Sequence, residues 1–324
     1  MLIHFILLFV AIHFSQNDKA FFQSKELIGL ELNRQEGESV ILDDQGYDIS
    51  ILEYRDSSGL TYWYRRVLTP VCLTGECMLI DIGIYWDCTG GFFGLEVYGE
   101  HLTKTDHSIF SAKDYQHLMG ILMNDWSVLR EYELTNLVEE QEGDKVDGIS
   151  GATKTEIAME TVKDAVYTTY TIWHLAHLGE KEQLIELTAN RLNKSAMAIL
   201  PLVHNENNKY RHFILELLST QKLVSTPKSD SLVLQSLRAM EDPKIKKLAY
   251  NCLSKIELNE QTQKALIPIF STASIQDKIQ ILSAFDRPIE LNSELYNCFS
   301  NDLNMNNDWF LLKLKKVLER NRNF

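Results

Sequence analysis

Met78-Leu-Ile-Asp-Ile-Gly-Ile-Tyr-Trp-Asp-Cys-Thr-Gly-Gly-Phe-Phe-Gly-Leu-Glu-Val-Tyr98 holds two runs of strand-like character around a turn. Ile80, Ile82, Ile84 and Trp86 fall on one side of the first run, and Asp81, Gly83 and Tyr85 on the other. This is the period of two expected of a strand with one buried face. Asp87-Cys-Thr-Gly-Gly91 is turn chemistry and Phe92 to Tyr98 reads as the returning strand, so the stretch predicts an antiparallel hairpin. Just upstream, Thr61-Tyr-Trp-Tyr-Arg-Arg-Val-Leu-Thr69 is rich in aromatic and β-branched residues and predicts another strand. Residues 26 to 100 therefore read as a single sheet. Past a polar loop from His101 to His107, Ser111-Ala-Lys-Asp114 has the form of a capping box, opening a helix with Leu118, Ile121 and Leu122 inward.

Further out, residues 131 to 147 crowd Glu131, Glu133, Glu139, Glu140, Glu142, Asp144 and Asp147 against Lys145, a solvated surface by default. Ala158, Val162, Ala165, Val166, Thr169, Ile172, Trp173 and Ala176 then share one stripe at about 100° per residue. That stripe predicts a long helix starting at Thr153 to Thr155 and ending near Gly179. Beyond Gly179 strand signals vanish. Helical periods recur at 184–192, 196–203, 210–218, 232–240, 245–256, 262–270, 275–285, 295–303 and 309–318. Successive short helices suggest stacked pairs resembling HEAT-type repeats, with a compact bundle as the alternative, because periodicity sets helices but not their stacking. The expected fold is an α+β domain over 26–178, an antiparallel sheet with helices, followed by an all-α helical-repeat domain over 180–324.

The chain has 324 residues, 45% hydrophobic and 24% charged, enough for two compact domains and too polar for a multi-span membrane protein. A formal net charge of −13 has the wrong sign for neutralising phosphate backbones, so nucleic acid is excluded as a partner class. Leu2 to Phe14 is apolar apart from His4 and His13, which fits a signal-peptide core over residues 1–15 and is short for a membrane span. A buried N-terminal helix is the alternative. Export places the protein in a periplasm or on the outer face of a membrane. In an oxidising compartment, Cys72 and Cys77, which flank Leu-Thr-Gly-Glu, are expected to close a small disulfide. Cys88 lies in the next turn, and Cys252 and Cys298 lie in helical sequence. Zinc on Cys72, Cys77, Cys88 and His101 lacks the tight second ligand pair of a structural site, so no metal is expected.

No nucleophile elbow, Walker loop, His-Glu-x-x-His or Cys-x-x-Cys is present. The chemistry narrows to Asp147-Gly-Ile-Ser-Gly-Ala-Thr-Lys-Thr155, where a glycine-containing turn runs into the expected helix. Backbone N–H groups and the helix dipole would converge there beside the hydroxyls of Ser150, Thr153 and Thr155, a phosphate site.

This segment resembles the FMN-binding domain of the extracytoplasmic flavin subunits of sodium-pumping NADH:quinone reductase and the Rnf complex. The family motif reads Asp-Gly-x-Ser/Thr-Gly-Ala-Thr, and Asp147, Gly148, Ser150, Gly151, Ala152 and Thr153 match it in register. The resemblance covers these seven residues and, more loosely, the stretch 26–178; the helical tail lies outside it. It implies FMN attached to Thr153 by a phosphoester bond that a dedicated flavin transferase installs. The implied cofactor-binding set is Asp147, Gly148, Ser150, Gly151, Ala152, Thr153 and Thr155, with no catalytic acid or base. The implied role is electron transfer between a protein donor and a protein acceptor rather than conversion of a substrate. Read from the residues alone, Thr153-Lys-Thr-Glu156 is also a capping box, in which Thr153 caps the helix. Tyr167, Tyr170 and His174 fall off the apolar stripe, facing either an isoalloxazine ring or a neighbouring domain. His101 and His107 read as surface residues or as the lining of a flavin pocket. Haem ligation by His174 or His177 lacks an attachment motif. The rival classes are a non-redox interaction protein built on the helical repeats, and a flavin-dependent reductase of a small substrate.

Overall fold

The computed structural model describes residues 20–43, 46–71, 78–138, 153–177, 181–238 and 242–321. Seven antiparallel strands come first: β1 (Phe22–Gln23), β2 (Asn33–Arg34), β3 (Ser39–Leu42), β4 (Asp48–Arg55), β5 (Thr61–Thr69), β6 (Ile80–Asp87) and β7 (Phe92–Tyr98). They pair in the order β1-β7-β6-β5-β4-β2, and β3 joins β4 beside β2. The expected hairpin is β6–β7, closed by hydrogen bonds from the Asp87 N–H to Gly91 O and from the Gly90 N–H to Asp87 O. A register shift at Tyr85 and Trp86 places Trp86 opposite Phe92.

The two faces of the sheet bury different partners. Ile51, Trp63, Ile82, Ile84, Trp86, Leu95 and Val97 pack on α1 (Ala112–Leu122) and α2 (Val166–His177), through Leu118, Leu122, Ile172 and Trp173. Ser111 caps α1 and Asp114 returns the bond to the Ser111 N–H, so the expected capping box is present. The opposite face is crossed by residues 24–32, which run from β1 at one edge to β2 at the other. Leu27 of this strap packs with Tyr64 and Tyr85, close enough to Gly94 that a Cβ there would meet it at 2.7 Å.

The helix expected from Thr153 starts instead at Val166. Thr153 pairs with Val138 as an isolated β-bridge, and the Lys154 N–H donates to Leu137 O. Turns follow, with the Ile157 N–H bonded to Lys154 O and the Ala158 N–H to Thr155 O, then one 3₁₀ turn over Ala158–Glu160. Asp164 sits at φ 60°, in the left-handed region that ends any continuous helix, and its carbonyl accepts from the N–H and hydroxyl of Thr105. Ala158, counted on the inward stripe, is exposed, and Ile157 is buried. Bonds to residues 105 and 137 outcompete the local helical ladder.

Nine helices complete the described chain: α3 (Lys181–Lys194), α4 (Leu200–Val203), α5 (Asn208–Ser219), α6 (Pro227–Arg238), α7 (Pro243–Leu253), α8 (Glu260–Thr272), α9 (Ile275–Ser283), α10 (Ser293–Asn301) and α11 (Asp308–Arg320). Asn207, Asp242, Asn259, Ser274, Asn292 and Asn307 cap six of them with side-chain oxygens. Next-but-one neighbours pack together, α5 with α7, α6 with α8, α7 with α9, α8 with α10 and α9 with α11. This pattern is compatible with stacked helix pairs. Leu60, Tyr62 and Cys88 from the strand ends enter the helical core. Trp63 Nε1 donates to Thr188 Oγ1 of α3, Arg191 pairs with Glu53 at 2.7 Å, and Lys209 pairs with Asp87.

Cys88 and Cys252 are buried thiols and Cys298 is half-buried. The expected disulfide of Cys72 and Cys77, and the signal segment 1–15, lie outside the described residues. Among the described residues, no helix is long and apolar enough to cross a membrane.

Candidate functional site

Asp147, Gly148, Ser150, Gly151 and Ala152 lie outside the described residues; Thr153 and Thr155 lie within them. Thr153 is half-buried on the Val138 bridge, and Thr155 is exposed in the turn that follows. Because α2 starts at Val166, Thr153 caps no helix and the expected capping box with Glu156 does not form; Glu156 is exposed. The same shift removes the helix N-terminus expected to face the phosphate.

The structure brings aromatic and basic groups to Thr153 instead. Lys154 sets its ammonium 5.5 Å from the centroid of the Tyr132 ring. The carbonyl of Tyr132 accepts from the hydroxyl of Tyr170 on α2 at 2.8 Å. Tyr170 packs on His174 one turn later, ring centroids 3.9 Å apart. The Tyr132 and Tyr170 face and the bridge that ends the motif thus share one corner, fastened by backbone and side-chain bonds. Glu131 and Glu133 are exposed on the same segment. Burial, and secondarily Glu133, holds the Tyr170 phenol above its usual pKa.

His174 and His177 are half-buried and bonded to backbone carbonyls. His174 Nε2 lies 3.1 Å from Leu129 O, and His177 Nε2 lies 2.7 Å from Leu122 O, so both rings fasten α2 to the segment 122–132. Burial lowers both imidazole pKa values. Of the three residues off the stripe, Tyr170 is bonded to Tyr132 and stacks on His174, and Tyr167 is buried.

His107 is exposed at φ 63°, whereas His101 lines a cleft of about 680 Å³ between the 21–28 segment and α1. Its walls include Phe21, Phe110, Tyr115, Met119, Gly120 and Met123. An added Cβ at Gly120 would meet nothing within 4 Å, so this helix position keeps room that alanine would take up. A glycine inside the α1 period was the available sequence signal. Tyr132 and Lys154 had none, since their pairing is tertiary. Among the described residues no cluster of His, Cys, Asp and Glu could hold a metal ion. Searches against family models, curated proteins and solved structures each returned no match to this chain.

Proposed function

We propose that the chain is an exported FMN-binding protein, with FMN attached to Thr153 through a phosphoester bond made by a flavin transferase, and that it carries electrons between protein partners outside the cytoplasm. The match of Asp147 through Thr153 to the flavinylation motif carries this reading. The local fold supports it, because helix capping no longer accounts for Thr153. A hydroxyl on a bridged, half-buried backbone stays where a transferase could modify it without unfolding a helix. Lys154 supplies a cation next to the phosphate position, and Tyr132 with Tyr170 supplies the aromatic surface a flat ring system needs. When bound, FMN passes one or two electrons. The protein's own residues hold it, shield one side and leave an edge to partners.

Co-expression with a flavin transferase tests the reading. Wild-type protein should keep yellow colour and flavin fluorescence through acid precipitation and denaturing electrophoresis. Thr153→Val should lose the acid-stable flavin while its melting curve changes little, since the hydroxyl supports no cap. Thr155→Val should retain it. A colourless wild-type protein, or acid-stable flavin on Thr153→Val, overturns the attachment.

A further inference from the structure

Away from Thr153, the sheet face under the 24–32 strap carries a cluster that neither packing nor flavin attachment requires. Glu96 is 8% exposed. Its carboxylate accepts from Tyr98 Oη at 2.5 Å, from Tyr85 Oη at 3.0 Å and from Gln23 Nε2 at 3.0 Å. Burying a carboxylate is costly unless donors surround it, and an apolar side chain would fill the same place more cheaply. The phenols form a continuous set. Tyr64 Oη lies 3.5 Å from Tyr98 Oη, the Tyr64 and Tyr85 rings are 4.6 Å apart, and Tyr54 stands 5.6 and 6.0 Å from them. Arg66, clamped by Asp81 through two hydrogen bonds, lies 4.0 Å over the Tyr98 ring and fixes its plane. Tyr98 and Tyr54 are half-buried while Tyr64 and Tyr85 are buried, so the cluster reaches solvent at its two outer rings, and Tyr98 is the one bonded to Glu96.

We propose that Tyr98 is a redox-active tyrosine, with Glu96 as its proton acceptor and Tyr64, Tyr85 and Tyr54 as a relay for the electron vacancy. A one-electron oxidant arriving at Tyr98 takes one electron. The phenolic O–H breaks, its proton passes along the 2.5 Å hydrogen bond to Glu96, and the products are a neutral tyrosyl radical, a protonated Glu96 and the reduced oxidant. Without a base so placed, oxidation must form a phenol radical cation or wait for the proton to reach water. In the next step Tyr64 gives an electron to the Tyr98 radical and its phenolic proton to the Tyr98 oxygen, which restores Tyr98 and leaves the radical on Tyr64. The fully bonded carboxylate makes the first transfer possible without rearrangement, and the contacts between rings make the second short.

The test uses flavin-free full-length protein, so its failure is distinct from failure of flavin attachment. Photogenerated tris(bipyridine)ruthenium(III) serves as the oxidant, and transient absorption with freeze-quench paramagnetic resonance follows the tyrosyl radical. Glu96→Gln keeps a hydrogen-bonding oxygen of similar shape and loses the base. Radical formation should slow about a hundredfold and change its solvent isotope effect, whereas a purely structural role for Glu96 would lower the melting curve and leave the rate unmoved. Tyr98→Phe should abolish the fast phase. Tyr296→Phe, on α10 and outside the cluster, should leave it unchanged. Wild-type rates in a folded Glu96→Gln protein overturn the proposal, as does an undiminished fast phase in Tyr98→Phe. Should Glu96→Gln fail to fold, Tyr98→Phe alone decides.

Discussion

Gly94 shows how tightly a single atom can be specified. It sits on β7 beneath the strap, where a Cβ would meet Leu27 at 2.7 and 2.9 Å and Ser24 Oγ at 2.9 Å. Ser24 Oγ accepts the Leu95 N–H, so the serine cannot simply turn away. Gly94→Ala should therefore destabilise the chain by about 1–3 kcal/mol, through overpacking rather than backbone strain. A lower urea midpoint with an unchanged slope would show it; an unchanged midpoint would mean that the strap lifts freely. Gly120→Ala is the matched control, because nothing stands within 4 Å of its new Cβ. Lys278 is a second case. It is 4% exposed on α9, pairs with Asp302 at 2.7 Å and lies 5.0 Å from the Phe270 ring centroid. Asp302→Ala strands a buried ammonium and should cost about 3 kcal/mol, whereas Lys278→Met should be close to neutral. Equal losses in both variants would contradict the account.

Among the elements, α2 carries the pH dependence. His174 and His177 face the carbonyls of Leu129 and Leu122, with Tyr170 and Trp173 against their rings, and burial depresses both pKa values. Asp125, 3.4 Å from His177 Nδ1, pulls the other way, as Lys181 and Arg130 oppose it, and desolvation outweighs them. Folding thus favours the neutral rings. Their contribution to stability is complete above the unfolded imidazole pKa of about 6.5 and is lost as pH falls through the lower folded values. The thermal midpoint should be level from neutral to mildly alkaline pH and should decline under mild acid. The double variant His174→Gln and His177→Gln should be less stable at neutral pH and should lose that decline. A decline of the same size in the double variant would place the titrating groups elsewhere.

On the scale of the whole molecule, sheet and helices share their packing. Leu184 of α3 belongs to the sheet core and Ala189 and Leu192 to the helical core, while Leu60, Tyr62 and Cys88 cross the other way. Trp63 is held by Thr188, and Asp87, buried in the hairpin turn, is held by Lys209 of α5. A fragment spanning 20–177 would expose this apolar surface and leave Asp87 without its cation. It should bind a hydrophobic dye and melt well below the full chain, and extension through α3 to residue 194 should recover part of the loss. A fragment 20–177 as stable as the full chain would show that the shared packing contributes nothing.

The parts of this molecule that the amino-acid order alone determined are those governed by neighbours in sequence. Alternation from Ile80 to Trp86, turn residues at Asp87 to Gly91, the Ser111 and Asp114 box, and the helical periods after Gly179 each depend on residues a few positions apart, and each has its element. The Asp147 to Thr153 pattern on which the proposed attachment rests is equally local. Tertiary structure decided where the segment after Thr153 becomes helical, because bonds to Thr105, Leu137 and Val138 come from far along the chain and leave no trace in a hydrophobic period. It also decided that Glu96 would be ringed by Tyr98, Tyr85 and Gln23, residues that look like an ordinary polar strand face until the strap folds over them. Periodicity records which side of an element turns inward. What meets that side is set only when distant segments compete for the same backbone groups and the same buried space.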